Sequence, residues 1–174
     1  DQYYLGMDTA QQHMNHNQGD TQKISLGRID QCYEWQRTFG LAYQFDHYRL
    51  NDAPFEQTHL LVPSVGLQRS HLDTVIFPRR GYGLSVNTLG SIRALASSSS
   101  FIQGAVDAQW VWSPFDQSRL LFRGNLGATI TDDIDRVPLS LQFFAGGAQS
   151  VRGYDYQELG PGKYLIVGSI EYQQ

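Results

Sequence analysis

A chain of 174 residues fits one domain rather than several. Charged residues make up 17% of it, below the roughly 25% of an ordinary soluble domain, and a formal net charge of −4 argues against a nucleic-acid platform, which carries a basic face. No apolar run approaches the ~18 residues of a helical membrane span, but a transmembrane β-barrel stays open, because its strands hide their hydrophobicity in alternation.

Period two dominates from end to end, and the alternation predicts eight strands. It is weak over residues 3–10. Over 22–33 it is spoiled by Arg28, which falls among the apolar positions and predicts a bulge. Over 38–48 it is clean: Phe39, Leu41, Tyr43, Phe45 and His47 oppose Thr38, Gly40, Ala42, Gln44, Asp46 and Tyr48. A weak stretch at 58–68 is followed by 82–93, where Tyr82, Leu84, Val86 and Ile92 share a side. Residues 102–112 put Ile102, Val106, Trp110 and Trp112 against Gln103, Asp107 and Gln109. In 119–128, Leu120, Phe122, Leu126 and Ala128 oppose Arg119, Arg123 and Asn125. The last segment, 163–172, sets Tyr164, Ile166, Ile170 and Tyr172 against Lys163, Ser169 and Glu171. The chain starts at Asp1 and stops at Gln174 inside an alternating stretch, which predicts a piece of a longer protein.

Connections alternate in kind. Tight turns are expected around Glu34-Trp35-Gln36, Phe77-Pro78-Arg79-Arg80-Gly81 and Pro114-Phe115-Asp116-Gln117. Looser polar links fall at 15–20, 51–56, 96–100 and, longest, 132–162. Short turns on one rim and long loops on the other match an outer-membrane barrel. Aromatics near strand ends (Tyr3, Tyr4, Tyr82, Trp110, Trp112, Tyr164, Tyr172) suit interfacial girdles. A soluble β-sandwich or ligand-binding β-barrel alternates too, but its apolar side is a core. The Gly and Ala among these apolar lines would pack one poorly, while Arg93, Asp107, Arg119 and Arg123 on the polar lines suit a wet lumen.

The run Phe143-Phe144-Ala145-Gly146-Gly147-Ala148-Gln149-Ser150-Val151-Arg152-Gly153-Tyr154 is a glycine-rich stretch with one braced arginine inside a loop of about 30 residues, a length that is usually functional. An arginine at a loop tip seeks a carboxylate, because its planar fork pairs bidentately. This run resembles the sixth extracellular loop of the outer-membrane assembly and secretion superfamily that includes BamA, TamA and the two-partner-secretion transporters. The fuller pattern, from Pro138 through Gly147, Ser150 to Tyr154 and Leu159-Gly160-Pro161, is most similar to TamA. Pro78-Arg79-Arg80-Gly81-Tyr82 and Gly168-Ser169-Ile170-Glu171-Tyr172 resemble other stretches of the same barrels.

The resemblance implies an all-β, antiparallel up-and-down transmembrane barrel, with residues 1–174 as strands five to twelve of about 16. It implies POTRA domains upstream and an extracellular loop, 132–162, folded into the lumen. Within that loop the functional motif is Gly146, Gly147, Val151, Arg152, Gly153 and Tyr154, and Glu171 is the lumen partner of Arg152. A second acidic partner would lie on a strand beyond this chain. The implied role is assisting insertion or secretion of other outer-membrane proteins in the Gram-negative outer membrane, without enzymatic chemistry or cofactor. Implied partners are outer-membrane lipid, unfolded outer-membrane or autotransporter polypeptides, and a TamB-like protein spanning the periplasm from the inner membrane. A pore exporting one large adhesin or toxin is the alternative within the superfamily. Eight strands alone would have two open edges, so the segment is expected to close on itself or pair with another copy.

Other clusters read as ordinary surface. His13 and His16 lack third and fourth ligands at fixed geometry, and His59 and His71 stand apart. Asp132-Asp133-Ile134-Asp135 lacks the glycine and distal glutamate of a calcium loop. Ser97-Ser98-Ser99-Ser100 has no nucleophile elbow and reads as loop, and Cys32, with no flanking base, reads as buried or lipid-facing rather than nucleophilic.

Overall fold

A computed structural model describes residues 1–14, 17–49, 54–74, 76, 78–94, 97–115, 118–147 and 150–174, with the side chains of 12–14 and 17 left aside. Eight long strands form one antiparallel sheet: β1 (Gln2–Met14), β2 (Asn17–Cys32), β3 (Trp35–Arg49), β4 (Glu56–Leu72), β5 (Arg80–Ser91), β6 (Phe101–Trp112), β7 (Arg119–Thr131) and β10 (Tyr164–Gln173). Each pairs with the one before it, in the order β1-β2-β3-β4-β5-β6-β7-β10. Between β7 and β10 lie a 3₁₀ turn, Leu139–Leu141, and a separate small ribbon of β8 (Phe143–Ala145) and β9 (Leu159–Gly162).

The register aligns the apolar lines into continuous rows. Leu5, Leu26, Leu41 and Pro63 face one another across β1 to β4, and Leu67, Val86, Val106, Leu126 and Ile166 across β4 to β10. Period two then puts every one of these side chains on the same face. That face is bare: Leu5 is 79% exposed, Met7 81%, Ile130 72% and Ile166 81%. A surface this large, apolar and uncovered is built for contact with acyl chains. The opposite face is lined by Ser25, Gln44, Asp46, Gln103, Asp107, Arg123 and Asn125, and residues 132–147 and 150–163 come back over part of it. The buried cluster sits there, where Ala42, Leu60 and Val62 of the wall and Phe101 meet Val137 of the returning segment.

Several expectations are corrected. No bulge occurs at Arg28, which stays in register between Tyr3 and Phe39. Arg28 is accommodated at the strand end by ion pairs to Asp1 at 3.1 Å and to Asp30 at 3.6 Å, the latter held by Arg37 at 2.8 and 2.9 Å. The first tight turn is Tyr33-Glu34, with Tyr33 at φ +56°, so Trp35 and Gln36 already belong to β3. Tyr4 is no girdle residue: it neighbours outward Tyr3, so alternation turns it inward, its ring against Gly27. Strands run past their apolar patterns at the loop rim, so 17–20 belong to β2 rather than to a loop. Residues 15 and 16, 51–53, 77, 96, 116 and 117 of the predicted connections lie outside the described residues. Among the described residues the eight strands do not close on themselves, and β1 and β10 each have one neighbour. A closed eight-stranded barrel is filled by its own side chains, whereas here the returning segment occupies that space.

The serine run has a structural use. β5 pairs with β4 only from Ser64 to Leu72. Beyond that, Ser97 Oγ accepts from Leu61 N at 2.9 Å, and Ser98 N donates to His59 O at 2.9 Å, so the run continues the ladder. At the opposite rim, burial pushes the Asp73 carboxyl up, but the backbone N–H groups of Arg80, Arg79 and Thr74 outweigh it and hold it below the usual carboxylate range. A lowered value stabilises the turn above about pH 4 and loses that contribution as pH falls through it. Protection factors of the Thr74, Arg79 and Arg80 amides, exchange rates taken relative to the intrinsic rate at each pH, should therefore hold at neutral pH and fall below about pH 4.

A charge on the bare face should be costly and one on the opposite face tolerated. Leu126→Arg is expected to destabilise the membrane-inserted full-length protein by about 2–4 kcal/mol, and Gln109→Lys by under about 1 kcal/mol. Urea titration of folding into liposomes measures both.

Candidate functional site

The returning segment begins at the loop rim and is pinned there before it descends. Leu139 is 1% exposed and packs on Gly19 of β2, with its Cδ2 3.7 Å from where a Cβ would stand. Tyr48 Oη donates to Asp135 O at 2.9 Å, and Gln103 Nε2 to Leu141 O at 2.7 Å. Buried Asp46 accepts from Thr21 Oγ1 at 2.6 Å, Gln44 Nε2 at 2.8 Å and Ser140 Oγ at 2.9 Å. Gln142 satisfies the backbone of the segment itself, donating to Val137 O at 2.8 Å.

From this dock the chain runs as β8 along the polar face. The Phe143 ring lies on Gly127 of β7, where any Cβ would collide with it. The β8–β9 ribbon then closes around the motif. Gly146 and Gly147 take φ of +117° and +91°, a region that disfavours side chains, and a Cβ at Gly146 would strike the Asp155 carbonyl. Gly147 N donates to Tyr154 O at 3.0 Å, closing the small loop that carries Arg152, with Gly153 at φ +100°. Ala148 and Gln149 lie outside the described residues.

At the tip, Arg152 Nη2 stands 2.6 Å from Glu171 Oε1. Glu171 sits on β10 opposite Leu121, on the polar face, and its side chain is only 14% exposed. The same oxygen lies 3.1 Å from Arg123 Nη1 on β7. One carboxylate is thus shared by a wall arginine and a loop arginine. A cavity of about 470 Å³ lies between tip and wall, lined by Arg123, Val151, Arg152, Ser169 and Glu171 among others.

The structure therefore brings Arg152 and Glu171 together, arranges Gly146, Gly147 and Gly153 as the backbone that presents the arginine, and leaves Tyr154 half-exposed beside them. Arg123 was placed among lumen charges by alternation, but nothing in its spacing tied it to Glu171. Asp46 and Ser140, 94 residues apart, carry no sequence signal of their contact. Of the other clusters, His59 lies 3.3 Å from Ser98 through Nδ1 and His71 stacks on Tyr82. Asp133 pairs with Arg136 at 3.2 Å. His16 and the side chain of His13 lie outside the described residues. Among the described residues, no three His, Cys, Asp or Glu side chains are grouped to hold a metal.

If the dock seats the loop, truncating its most buried side chain should loosen it. Leu139→Ala is expected to cost about 2–5 kcal/mol of docking. Limited proteolysis of the folded full-length protein should then cut within 132–163 at least several-fold faster than in wild type.

The model of the Omp85 superfamily domain matches residues 6–174. Among solved structures, the fold is similar to the crystal structure of BamA from Haemophilus ducreyi lacking POTRA domains 1-3, with a TM-score of 0.72 and 15% sequence identity. That match covers 91% of this chain and 35% of the other, so the chain spans about a third of that protein's length.

Proposed function

The chain belongs to the Omp85 superfamily, and on that premise we propose that it forms wall and internal loop of a TamA-like factor in the Gram-negative outer membrane, one that assists insertion or secretion of other outer-membrane proteins. The observation that carries this reading is the 2.6 Å contact between Arg152, in the Val-Arg-Gly-Tyr run, and the largely buried Glu171 of the wall. A loop that only covered a rim would not send an arginine down the polar face to a shielded carboxylate.

The action is mechanical rather than covalent, and the protein is not an enzyme. The bare apolar face meets lipid, the polar face keeps a wet interior, and the loop braces the wall from within. Incoming polypeptides, unfolded outer-membrane or autotransporter chains, add their strands to an opened edge, where backbone groups unsatisfied in lipid give the driving force. Their own folding supplies the energy. A TamB-like protein spanning the periplasm is the proposed partner on the inner side. The similarity of 138–161 to the TamA pattern supports this branch over an adhesin-exporting pore.

Arg152→Ala and Glu171→Ala should each lower assembly of outer-membrane proteins by the full-length factor by roughly tenfold, equivalent to about 1.4 kcal/mol for a lost ion pair at a shielded carboxylate. Assembly is measured as the rate at which a β-barrel substrate becomes heat-modifiable in liposomes. Wild-type rates in a folded Arg152→Ala protein would reject the reading.

A further inference from the structure

The hairpin that carries Arg152 has two ends, and only one of them is at Glu171. Its stem begins at Ser140, just before β8, and is held on β3, while its tip reaches β10. In the sheet order β3-β4-β5-β6-β7-β10 these strands are five steps apart, about 24 Å at the usual strand spacing. The segment therefore crosses the wall obliquely, and where the stem is fixed decides where the tip arrives.

Most of the stem's contacts are apolar: Val137 and Leu139 against Ala42, Leu60, Val62 and Gly19. Such contacts attract without direction, so they hold the stem down without fixing its position along the wall. Tyr48 and Gln103 add hydrogen bonds to Asp135 O and Leu141 O, but these are backbone carbonyls that every residue offers; selection of one particular side chain of the stem comes from the Asp46 carboxylate. It takes hydrogen bonds from Thr21 and Gln44 on the wall and from Ser140 on the loop, at 2.6, 2.8 and 2.9 Å, and Gln44 Nε2 also donates to Ser140 Oγ at 2.8 Å. Asp46 is 4% exposed. A buried carboxylate makes poor sense as a stabiliser, because desolvation is costly, but good sense as a device that selects one arrangement over its neighbours. Shifting Ser140 by one residue would cost its hydroxyl both wall partners and leave the carboxylate with Thr21 and Gln44 alone.

We infer that Asp46 is a positioning residue for the loop arginine: through Ser140 it sets the register of the hairpin stem on β3, and thereby delivers Arg152 to Glu171 on β10. The inference deepens the function proposed above and rests on that reading for its importance, though not for its geometry.

Disulfide trapping in the full-length protein tests it. With Cys32→Ser as background, cysteines replacing Val151 and Ser169 line the cavity that Arg152 enters and should join on mild oxidation. Adding Asp46→Leu or Ser140→Ala should reduce the trapped fraction roughly tenfold, the effect of losing a charge-assisted hydrogen bond, in protein that still shows heat-modifiable folding. Asp46→Asn, which keeps an acceptor oxygen, should recover most of it. Ser140→Ala leaves the wall intact and serves if Asp46→Leu fails to fold. Undiminished trapping in folded Ser140→Ala would overturn the positioning role while leaving the Arg152 activity result standing. Lost trapping beside an Arg152→Ala protein of normal activity would uphold the positioning and reject the functional reading instead.

Discussion

The sheet has committed one whole face to the outside. Rows such as Leu67, Val86, Val106, Leu126 and Ile166 are continuous and apolar, and among the described residues no segment packs over them. Every dry contact must then be made on the polar face, and the segment between β7 and β10 is what makes it. In an ordinary sandwich two sheets share the work of forming a core. Here a single sheet and one returning loop do so, and the core is confined to the patch that the loop reaches.

That confinement explains the uneven chemistry of the polar face. Toward the loop rim, Asp46, Gln44, Gln103 and Thr129 are buried and, with half-buried Thr21, answered by hydrogen bonds under the stem. Farther on, Asp107 bonds Asn125 and Arg119 bonds Gln173 at 3.0 Å, both in exposed settings. Only at the hairpin tip does the face become shielded again, around Glu171. The loop thus converts an open polar surface into two separated contact zones joined by β8.

How much of this could be read in the amino-acid order depends on the range of the forces involved. Alternation is local, so the eight wall strands, their faces and the inward side of Glu171 were legible from residues two apart. The Arg152 motif was legible because its glycines answer a local backbone demand, seen as positive φ at Gly146, Gly147 and Gly153. The ribbon β8–β9 was not, since Phe143–Ala145 and Leu159–Gly162 are too short to show a period. Nor was the Asp46–Ser140 contact, which joins residues 94 apart. Strand ends were misjudged where the ladder persists on polar side chains, as at 17–20, because backbone pairing outlasts the apolar pattern above the membrane rim. Arg28 misled for a related reason: at a strand end an arginine can meet Asp1 and Asp30 without disturbing the register.

The sharing of one oxygen by two arginines also bears on how the tip can leave. A shielded anion deprived of its counter-ion is severely penalised, which ordinarily makes such a pairing permanent. Glu171, however, has Arg123 beside it on the adjacent strand, fixed to the wall and unable to depart with the hairpin. Withdrawal of Arg152 therefore leaves no orphaned charge behind, and the guanidinium, already 63% exposed while paired, gives up little besides the ion pair itself. The contact at the tip can thus be undone and remade without baring an anion on the wall.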